Sequence, residues 1–423
     1  MERKVSSNIF SDVDWVTVLL YLLLITMGWL NIYSAVYNED HHVITDMSQK
    51  YGKQLLWIGT SLLIALIILI IDEKFYTAFA YLIYGVFLLA CIAVPFLGRE
   101  VKGSRSWFRF GDFGIQPAEF MKFAANLAIA KFLSNQFIKI SDYRNTIITL
   151  LIIGVPLIVI KVLQDETGLA IVFVTFIFTL YREGLSVNYL LLGFTAIVLF
   201  VLALMVNNIY LFVIIGSLCV VATLFIKRNR KNLFVVAVVG LIACSMVKGT
   251  STVYEHMEEH QKVRIDVLLG RGTVNLKKEG YNVNQAKIAI GSGGFAGKGY
   301  LNGTQTKYDF VPEQDTDFIF CTVGEEWGFL GSSLVIILEL VLIIKVIFMA
   351  ERQRSAFSRI YGYGVASVLF FHLTINVGMT IGLAPVIGIP LPFFSYGGSS
   401  LWSFTILLFI FIKLDSHRLS ILR

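Results

Sequence analysis

The chain has 423 residues, of which 56% are hydrophobic and only 15% are charged, whereas about a quarter of the residues are charged in an average soluble domain. A mean hydropathy of +0.74 excludes a soluble globular enzyme, a disordered chain and a disulfide scaffold. The net charge of +6 fits basic cytoplasmic loops better than nucleic-acid binding. We therefore expect an all-α polytopic membrane protein that binds no nucleic acid.

Apolar runs long enough to span a bilayer, about 20 residues each, recur along the whole chain. We predict twelve spans, at 15–36, 54–71, 75–97, 118–134, 145–163, 168–182, 187–206, 208–227, 233–248, 317–349, 357–383 and 398–413. An even number places both termini on one side, and the distribution of Lys and Arg predicts that this side is cytoplasmic. The polar N-terminal residues predict no cleaved signal peptide.

The segment 249–316 lies on the extracytoplasmic side of this topology and is too long for a simple connector. Loops of such length are usually functional or disordered, and its tyrosines and phenylalanines favour an ordered structure on the membrane surface. We expect one membrane domain over 1–423, with 249–316 as its large extracytoplasmic loop.

Cations are concentrated in another outer loop, 98–117, against the orientation rule. They include Lys102, Arg105 and Arg109. Because arginine forks and lysine point charges suit phosphate oxygens, we expect these three residues to bind a phosphate group. The alternative is a set of solvated charges paired with Glu100 and Asp112.

Glu119 and Lys122 lie three residues apart, on one face of the span that Pro117 opens. An ionisable pair inside the membrane is costly and indicates a functional site by default. We therefore predict that both bind substrate. The alternative is a structural ion pair that fixes the register of the helix.

Carboxylates gather at the mouth of the tenth span, in the run from Val311 to Phe320, and Glu325 and Glu326 follow inside it. Asp317 is the last acid before the apolar residues, so it should lie at the lipid–water boundary. Desolvation there favours a carboxylate that acts as a base. The alternative is a helix cap formed by Thr316 or Asp317.

Three of the seven prolines fall close together in the apolar segment 382–400. Proline breaks helices, and such backbone persists at membrane depth only when it is buried in protein or lines a wet cavity. The segment offers the hydroxyls of Ser395, Tyr396, Ser399 and Ser400 to a ligand. A plain loop is the alternative.

Short strings along almost the whole chain resemble the SEDS family (shape, elongation, division and sporulation). The main strings are Asp14-Trp15, Gln116-Pro117-Ala118-Glu119, Gly291-Ser292-Gly293-Gly294, Gly297-Lys298-Gly299, Gly303-Thr304-Gln305, Thr316-Asp317-Phe318-Ile319-Phe320, Gly324-Glu325-Glu326, Asn376 with Gly378-Met379, and Leu391 to Ser400. The Asp14-Trp15 and Gly303-Thr304-Gln305 strings favour the elongation branch of the family.

The resemblance implies a helical membrane bundle that acts as an inverting peptidoglycan glycosyltransferase. Its substrate would be lipid II, a disaccharide-peptide on undecaprenyl pyrophosphate, polymerised on the outer face of the cytoplasmic membrane within the elongation complex, beside a class B penicillin-binding protein. Asp317 matches the family's essential aspartate, and Lys298, Gln305 and Glu325 are expected to bind substrate. The resemblance implies no certain cofactor; a divalent cation, Mg²⁺ or Mn²⁺, is the candidate, since it would assist the cations that stabilise the leaving pyrophosphate. A lipid II flippase and a non-catalytic scaffold are the competing functions.

The chain departs from the family pattern at several positions. Asp315 replaces a histidine, Ser106 replaces the arginine of an Arg-Trp pair, His372 replaces a glutamine, and 164–168 only approximates a Gln-Pro-Asp string. We expect Asp315 to be as exposed as Asp317. The family typically has ten spans, so we predict that the extra helix pair lies within 207–247 and is peripheral to catalysis.

Overall fold

The computed structural model describes residues 12–37, 44–101, 104–111, 113–225, 229–257, 259–270 and 280–418. They form two compact units, one made of 1–184 with 282–423 and the other of 185–281. Helices account for most of both units, in agreement with the predicted fold class.

The helices are listed here in chain order. They are α1 (Trp15–Ala35), α2 (Lys50–Ile70), α3 (Glu73–Leu97), α4 (Pro117–Leu133), α5 (Tyr143–Gln164), α6 (Thr167–Val172), α7 (Phe176–Arg182), α8 (Val187–Met205), α9 (Asn208–Phe225), α10 (Arg230–His256), α11 (Glu259–Leu269), α12 (Tyr281–Gly293), α13 (Thr304–Lys307), α14 (Ile319–Glu351), α15 (Ala356–Thr380) and α16 (Gly398–Ser416).

Ten helices of the described chain are long and apolar enough to cross a membrane, namely α1, α2, α3, α5, α8, α9, α10, α14, α15 and α16. The chain is therefore a multi-pass membrane protein, as predicted. Two of the twelve predicted spans fall short of that length. The candidate 118–134 is the 17-residue α4, and 168–182 is split into α6 and α7 by a 3-10 turn at Phe173–Thr175.

Helix α4 lies at the centre of its unit, where it packs against α3, α15 and α16. Every residue from Pro117 to Ala130 is buried, so protein rather than lipid surrounds this helix. Pro117 occupies its first turn, where the missing N–H costs nothing. This central position explains why α4 can carry polar side chains that a lipid-facing helix could not.

The loop 98–117 contains a small antiparallel sheet, which the sequence analysis did not predict. Strands β1 (Arg99–Val101), β2 (Ser104–Phe110) and β3 (Phe113–Ile115) pair in the order β1-β2-β3. Because side chains alternate along a strand, Arg105 and Arg109 are exposed on β2 while Ser106 is buried.

Helix α10 continues to His256, so the prediction that its span ends at 248 and the large loop begins at 249 is wrong. The described part of 249–316 contains the end of α10 and then α11, α12 and α13. Within the second unit, α8, α9 and α10 pack around Ala203, Leu211, Ile215 and Val247. The Asn208 amide donates to Ser251 Oγ at 2.9 Å, which holds the start of α9 beside the end of α10.

Helix α14 is kinked at Gly328, whose φ is +62°. The loop after α12 docks at this kink, and it supplies partners for backbone groups that the kink releases. The hydrogen bonds are Phe329 N to Gly294 O (3.0 Å), Leu330 N to Phe295 O (3.2 Å) and Gly299 N to Glu326 O (2.9 Å).

Candidate active site

The backbone that carries Asp317 is fixed at three successive residues. Each carbonyl accepts one hydrogen bond: Asp315 from Tyr396 N at 2.9 Å, Thr316 from Ser395 Oγ at 2.7 Å and Asp317 from Asn376 Nδ2 at 2.8 Å. The structure therefore brings the Thr316-Asp317 string together with Ser395 and Tyr396, two of the predicted site residues.

Asp317 lies in the turn that enters α14 and is partly exposed. Phe318 is the N-terminal flanking residue of α14, so neither Thr316 nor Asp317 occupies the N-cap position. A Cβ atom on Gly388 would lie 3.4 Å from Asp317 Oδ2, and Gly388 has φ +70°. The carboxylate therefore rests against backbone that has no side chain.

The segment between α15 and α16 is non-helical, as its prolines predict. We call 381–397 the broken segment. Asn376 Nδ2 holds it by donating to Ile389 O at 2.7 Å, and Leu391 N donates to Ser395 Oγ at 2.9 Å. Burial raises the pKa of Tyr396. A hydrogen bond with Trp57 partly offsets this rise, and the negative charge of the nearby Asp315 adds to it.

Ser399 and Ser403 lie one turn apart on α16 and tie it to the start of α4. Gln116 N donates to Ser399 Oγ at 3.2 Å, and that hydroxyl donates to Gly114 O at 3.1 Å. Ser403 Oγ donates to Glu119 O at 2.6 Å. Ser399 therefore serves as a backbone link, while Ser400 is half-buried.

Glu119 and Lys122 form the predicted ion pair, with 2.6 Å between Glu119 Oε2 and Lys122 Nζ, and both side chains are almost fully buried. The ammonium lies 3.3 Å from His372 Nε2 and 4.1 Å from the ring centre of Phe404. His372 Nδ1 lies 3.1 Å from Pro390 O, in the broken segment. His372 thus links the pair to the same segment that supports Asp317.

Glu325 brings together the predicted residues Lys298 and Gln305. Its carboxylate receives Lys298 Nζ at 2.6 Å, Thr304 N at 2.8 Å, Gln305 N at 2.9 Å and Thr306 N at 2.9 Å. Because the carboxylate of Glu325, on α14, accepts hydrogen bonds from these backbone N–H groups, it fixes the Gly303-Thr304-Gln305 string against that helix. Substrate binding by the three residues stays a prediction.

Two of the predicted phosphate-binding cations, Arg105 and Arg109, lie on β2. Arg105 and Arg109 are exposed, and Lys102 lies outside the described residues. Two departures from the family pattern, Ser106 and the 164–168 string, are in contact. Ser106 Oγ donates to Glu166 Oε1 at 2.7 Å, and Ser104 Oγ donates to the same oxygen at 3.0 Å.

Sequence reasoning missed Lys50, at the start of α2. Its ammonium lies 2.8 Å from Asp315 Oδ2 and 5.9 Å from the ring centre of Tyr396. The Lys50 side chain is 48% exposed whereas that of Asp315 is only 4% exposed. The expectation that Asp315 is as exposed as Asp317 is therefore wrong. Lys50 and Asp315 are 265 positions apart, so only the unusual acid at 315 could have hinted at a partner.

No group of three or more His, Cys, Asp or Glu side chains in the described part of the chain could hold a metal ion. The residues described thus do not fit a protein-bound divalent cation, and we derive no step through one.

Relatives at the level of sequence cover nearly the whole chain. The peptidoglycan glycosyltransferase RodA of Treponema pallidum is 32% identical over 445 residues, which cover 97% of this chain and 99% of the relative. The peptidoglycan glycosyltransferase MrdB of Escherichia coli K12 is 30% identical, with coverage of 94% and 93%.

Solved structures share the fold. A chain from a peptidoglycan synthase complex, solved to explain the coordination of polymerization and crosslinking, matches with a TM-score of 0.71 at 22% identity, covering 96% of this chain and 98% of that chain. The rod shape determining protein RodA of Thermus thermophilus matches with a TM-score of 0.62 at 24% identity, covering 97% and 99%.

A family model described as "Cell cycle protein", which covers FtsW, RodA and SpoVE, matches residues 14–213 and 195–420. Together the two matches span almost the entire chain, and they agree with the strings around Asp317 and the broken segment. The chain therefore belongs to the SEDS family.

Proposed function

We propose that the chain is a peptidoglycan glycosyltransferase that polymerises lipid II into glycan strands during cell elongation, with inversion at the sugar carbon. The observation that carries the proposal is the fixed position of Asp317, whose backbone neighbours are held at 315, 316 and 317 while its side chain stays partly exposed. A base must be held within hydrogen-bond reach of the proton that it removes. A rigid support with an accessible carboxylate meets that need.

In the proposed reaction, Asp317 takes the proton of the acceptor sugar hydroxyl. The hydroxyl oxygen forms a bond to the donor sugar carbon, and the bond to the pyrophosphate breaks with its electron pair on the leaving oxygen. Positive charge near that oxygen stabilises the transition state. Arg105 and Arg109 on β2, together with Lys102, are the proposed cations, and Lys50 adds one beside the Asp317 string.

The names of the relatives support the activity, since the proteins of Treponema pallidum and Escherichia coli are peptidoglycan glycosyltransferases. We propose that the chain lies in the cytoplasmic membrane, with both termini cytoplasmic and Asp317 on the extracytoplasmic side, as the distribution of Lys and Arg predicts. The synthase complex that couples polymerization with crosslinking supports a class B penicillin-binding protein of the elongation complex as the partner.

The test is Asp317→Asn in the purified complex with its transpeptidase. Asn keeps the size of the side chain but cannot accept the proton, and a positioned base contributes about 10²- to 10⁴-fold. Glycan polymer formed from lipid II should fall by that factor, while expression and binding to the partner persist.

The matched control is Asp309→Asn, in the same loop, because Asn can still accept the 2.7 Å hydrogen bond that Gln314 Nε2 donates to Asp309 Oδ1. Asp315→Asn is unsuitable as a neutral control since it breaks the ion pair with Lys50. Normal polymerisation by Asp317→Asn would refute the proposed base and make the Glu119–Lys122 pair the next candidate.

A lipid II flippase is the second candidate, and the buried Glu119–Lys122 pair favours it because transporters keep ionisable groups inside the bundle. Detergent removes the second compartment, so polymer formed there by the wild type and lost in Asp317→Asn could not come from transport. Transbilayer movement of lipid II in vesicles without polymer formation would favour the flippase.

We also propose that α9 and α10 are peripheral to catalysis. The hydrogen bond between Asn208 and Ser251 holds the start of α9 beside the end of α10, so joining residue 206 to 248 links neighbouring parts of the second unit. A chain lacking 207–247 should fold and retain polymerase activity, measured as glycan product per folded protein. Complete loss of activity in a normally folded deletion protein would contradict this.

A further inference from the structure

His372 lies on α15 with no exposed surface, and both of its ring nitrogens have partners. Pro390 O can only accept a hydrogen bond, so the nitrogen 3.1 Å from it, Nδ1, must carry the proton. The Lys122 ammonium can only donate, so Nε2, at 3.3 Å, must accept. These two contacts define a neutral imidazole in a single tautomer.

Asn376 lies one turn further along the same face of α15. Its amide donates to Ile389 O at 2.7 Å and to Asp317 O at 2.8 Å. Helix α15 therefore holds two consecutive carbonyls of the broken segment, Ile389 by Asn376 and Pro390 by His372. The same stretch of backbone includes Gly388, against which the Asp317 carboxylate rests.

We infer that His372 is a positioning residue, which links the buried Glu119–Lys122 pair to the broken segment and so sets the place of the Asp317 carboxylate. The inference rests on the proposed role of Asp317. Displacement of a reacting group by about 1 Å can cost about 10²-fold in rate. Loss of the link should therefore lower kcat, whereas KM for lipid II should change little because His372 has no exposed surface with which to touch substrate.

The chain allows a test at nearly constant shape. The His372 ring packs edge-on against Phe404 with 4.7 Å between centres, so His372→Phe keeps an aromatic ring there and removes both hydrogen bonds. His372→Gln supplies one acceptor and one amide donor on a flexible side chain. Thr374→Val is the control on the same helix, since Thr374 is exposed and its hydroxyl donates to Phe370 O within α15 at 2.8 Å.

We expect His372→Phe to lose about 10- to 100-fold in kcat with KM within a few-fold of wild type. His372→Gln should recover most of the loss, and Thr374→Val should match wild type. Amide hydrogen exchange should accelerate at Phe394, Ser395 and Tyr396 in His372→Phe and stay unchanged in α5. If His372→Phe is too unstable to purify, His372→Met takes its place. The kcat and the exchange of these amides are then measured for His372→Met and compared with those of His372→Gln.

Wild-type kcat in His372→Phe, or equal losses in the Phe and Gln variants, would overturn the inference. A loss confined to KM would also overturn it, because it would indicate contact with substrate. Asp317→Asn is assayed in parallel. If Asp317→Asn is inactive while His372→Phe is fully active, only the role of His372 fails; if Asp317→Asn polymerises normally, the proposed base fails instead.

Discussion

The two ends of the 33-residue helix α14 are stabilised by acids in different ways. At the C-terminal, or far, end Asp415 is fully buried and accepts hydrogen bonds from Nε and Nη2 of Arg352 as well as from Gln353 Nε2. At the near end the buried acid, Asp315, meets a single lysine that is half exposed. A bidentate arginine pair fixes geometry, whereas a lysine is a flexible point charge.

Asp14 extends the network at the far end of α14. It caps α1 by accepting from Thr17 N at 3.1 Å, and it also pairs with Lys345 and Arg352, each at 3.0 Å. Burial alone would raise the pKa of Asp14, but the bonds from Lys345, Thr17 and Arg352 outweigh it and lower the pKa. At the far end the acids Asp14 and Asp415 are thus paired with Lys345 and Arg352. At the near end the Lys50 side chain, which pairs with Asp315, is 48% exposed to solvent. We propose that the far end is a joint that holds helices together and that the near end belongs to the substrate site.

The largest effect is expected at the far end. Asp415→Ala leaves Arg352 without its buried partner, and breaking a buried pair costs about 3–5 kcal/mol; partial exposure of Arg352 places the loss near the lower figure. Thermal unfolding in detergent measures it, and the activity of the folded fraction should be preserved.

Glu351→Gln is the matched control, because the Arg182–Glu351 pair also lies at the end of α14 but both side chains are nearly half exposed. Such pairs contribute about 0–1 kcal/mol. Equal losses in the two variants would remove the distinction between a buried joint and a surface pair.

A smaller effect, on binding rather than folding, is expected at the near end. Lys50→Gln removes the half-exposed cation beside the Asp317 string, so KM for lipid II should rise a few-fold, consistent with about 1 kcal/mol for an accessible charge. Lys50→Arg should restore the wild-type value. The effect should shrink at high salt, since exposed charges are screened. A change in unfolding temperature with unaltered KM would show that Lys50 is structural, like Arg352.

The sequence predicted the helical membrane class, the ion pair of Glu119 with Lys122 and the non-helical segment before α16. Each rests on a local signal: apolar length, spacing on a helix, or clustered prolines. The contacts of Asp315 with Lys50 and of His372 with Pro390 were missed, as was the sheet at β1–β3. The pair of Asp315 and Lys50 joins residues far apart in the chain, and the other contacts depend on how α15, the broken segment and the 98–117 loop fold, which a single sequence does not reveal.

Exposure was the least predictable property of the site residues. The position of Asp315 beside Asp317 suggested equal access to solvent, but the Asp315 side chain, which pairs with Lys50, is only 4% exposed, whereas Asp317 is partly exposed. Ser395 and Ser399 were predicted to offer hydroxyls to a ligand, and the structure uses both hydroxyls for backbone carbonyls. Polar side chains near broken backbone often satisfy that backbone first.

The kink in α14 has a consequence for genetic screens. A single methyl group on Gly293 would meet Gly324 O at 2.0 Å, on Gly297 it would meet Glu326 O at 2.1 Å, and on Gly328 it would meet Gly297 N at 2.3 Å. Alleles with alanine at these positions should score as nulls as severe as a lost catalytic acid, although the glycines perform no chemistry. A screen that scores phenotype alone would then assign these glycines to the active site. Protein abundance in each mutant strain distinguishes an allele that prevents folding from one that removes a catalytic group.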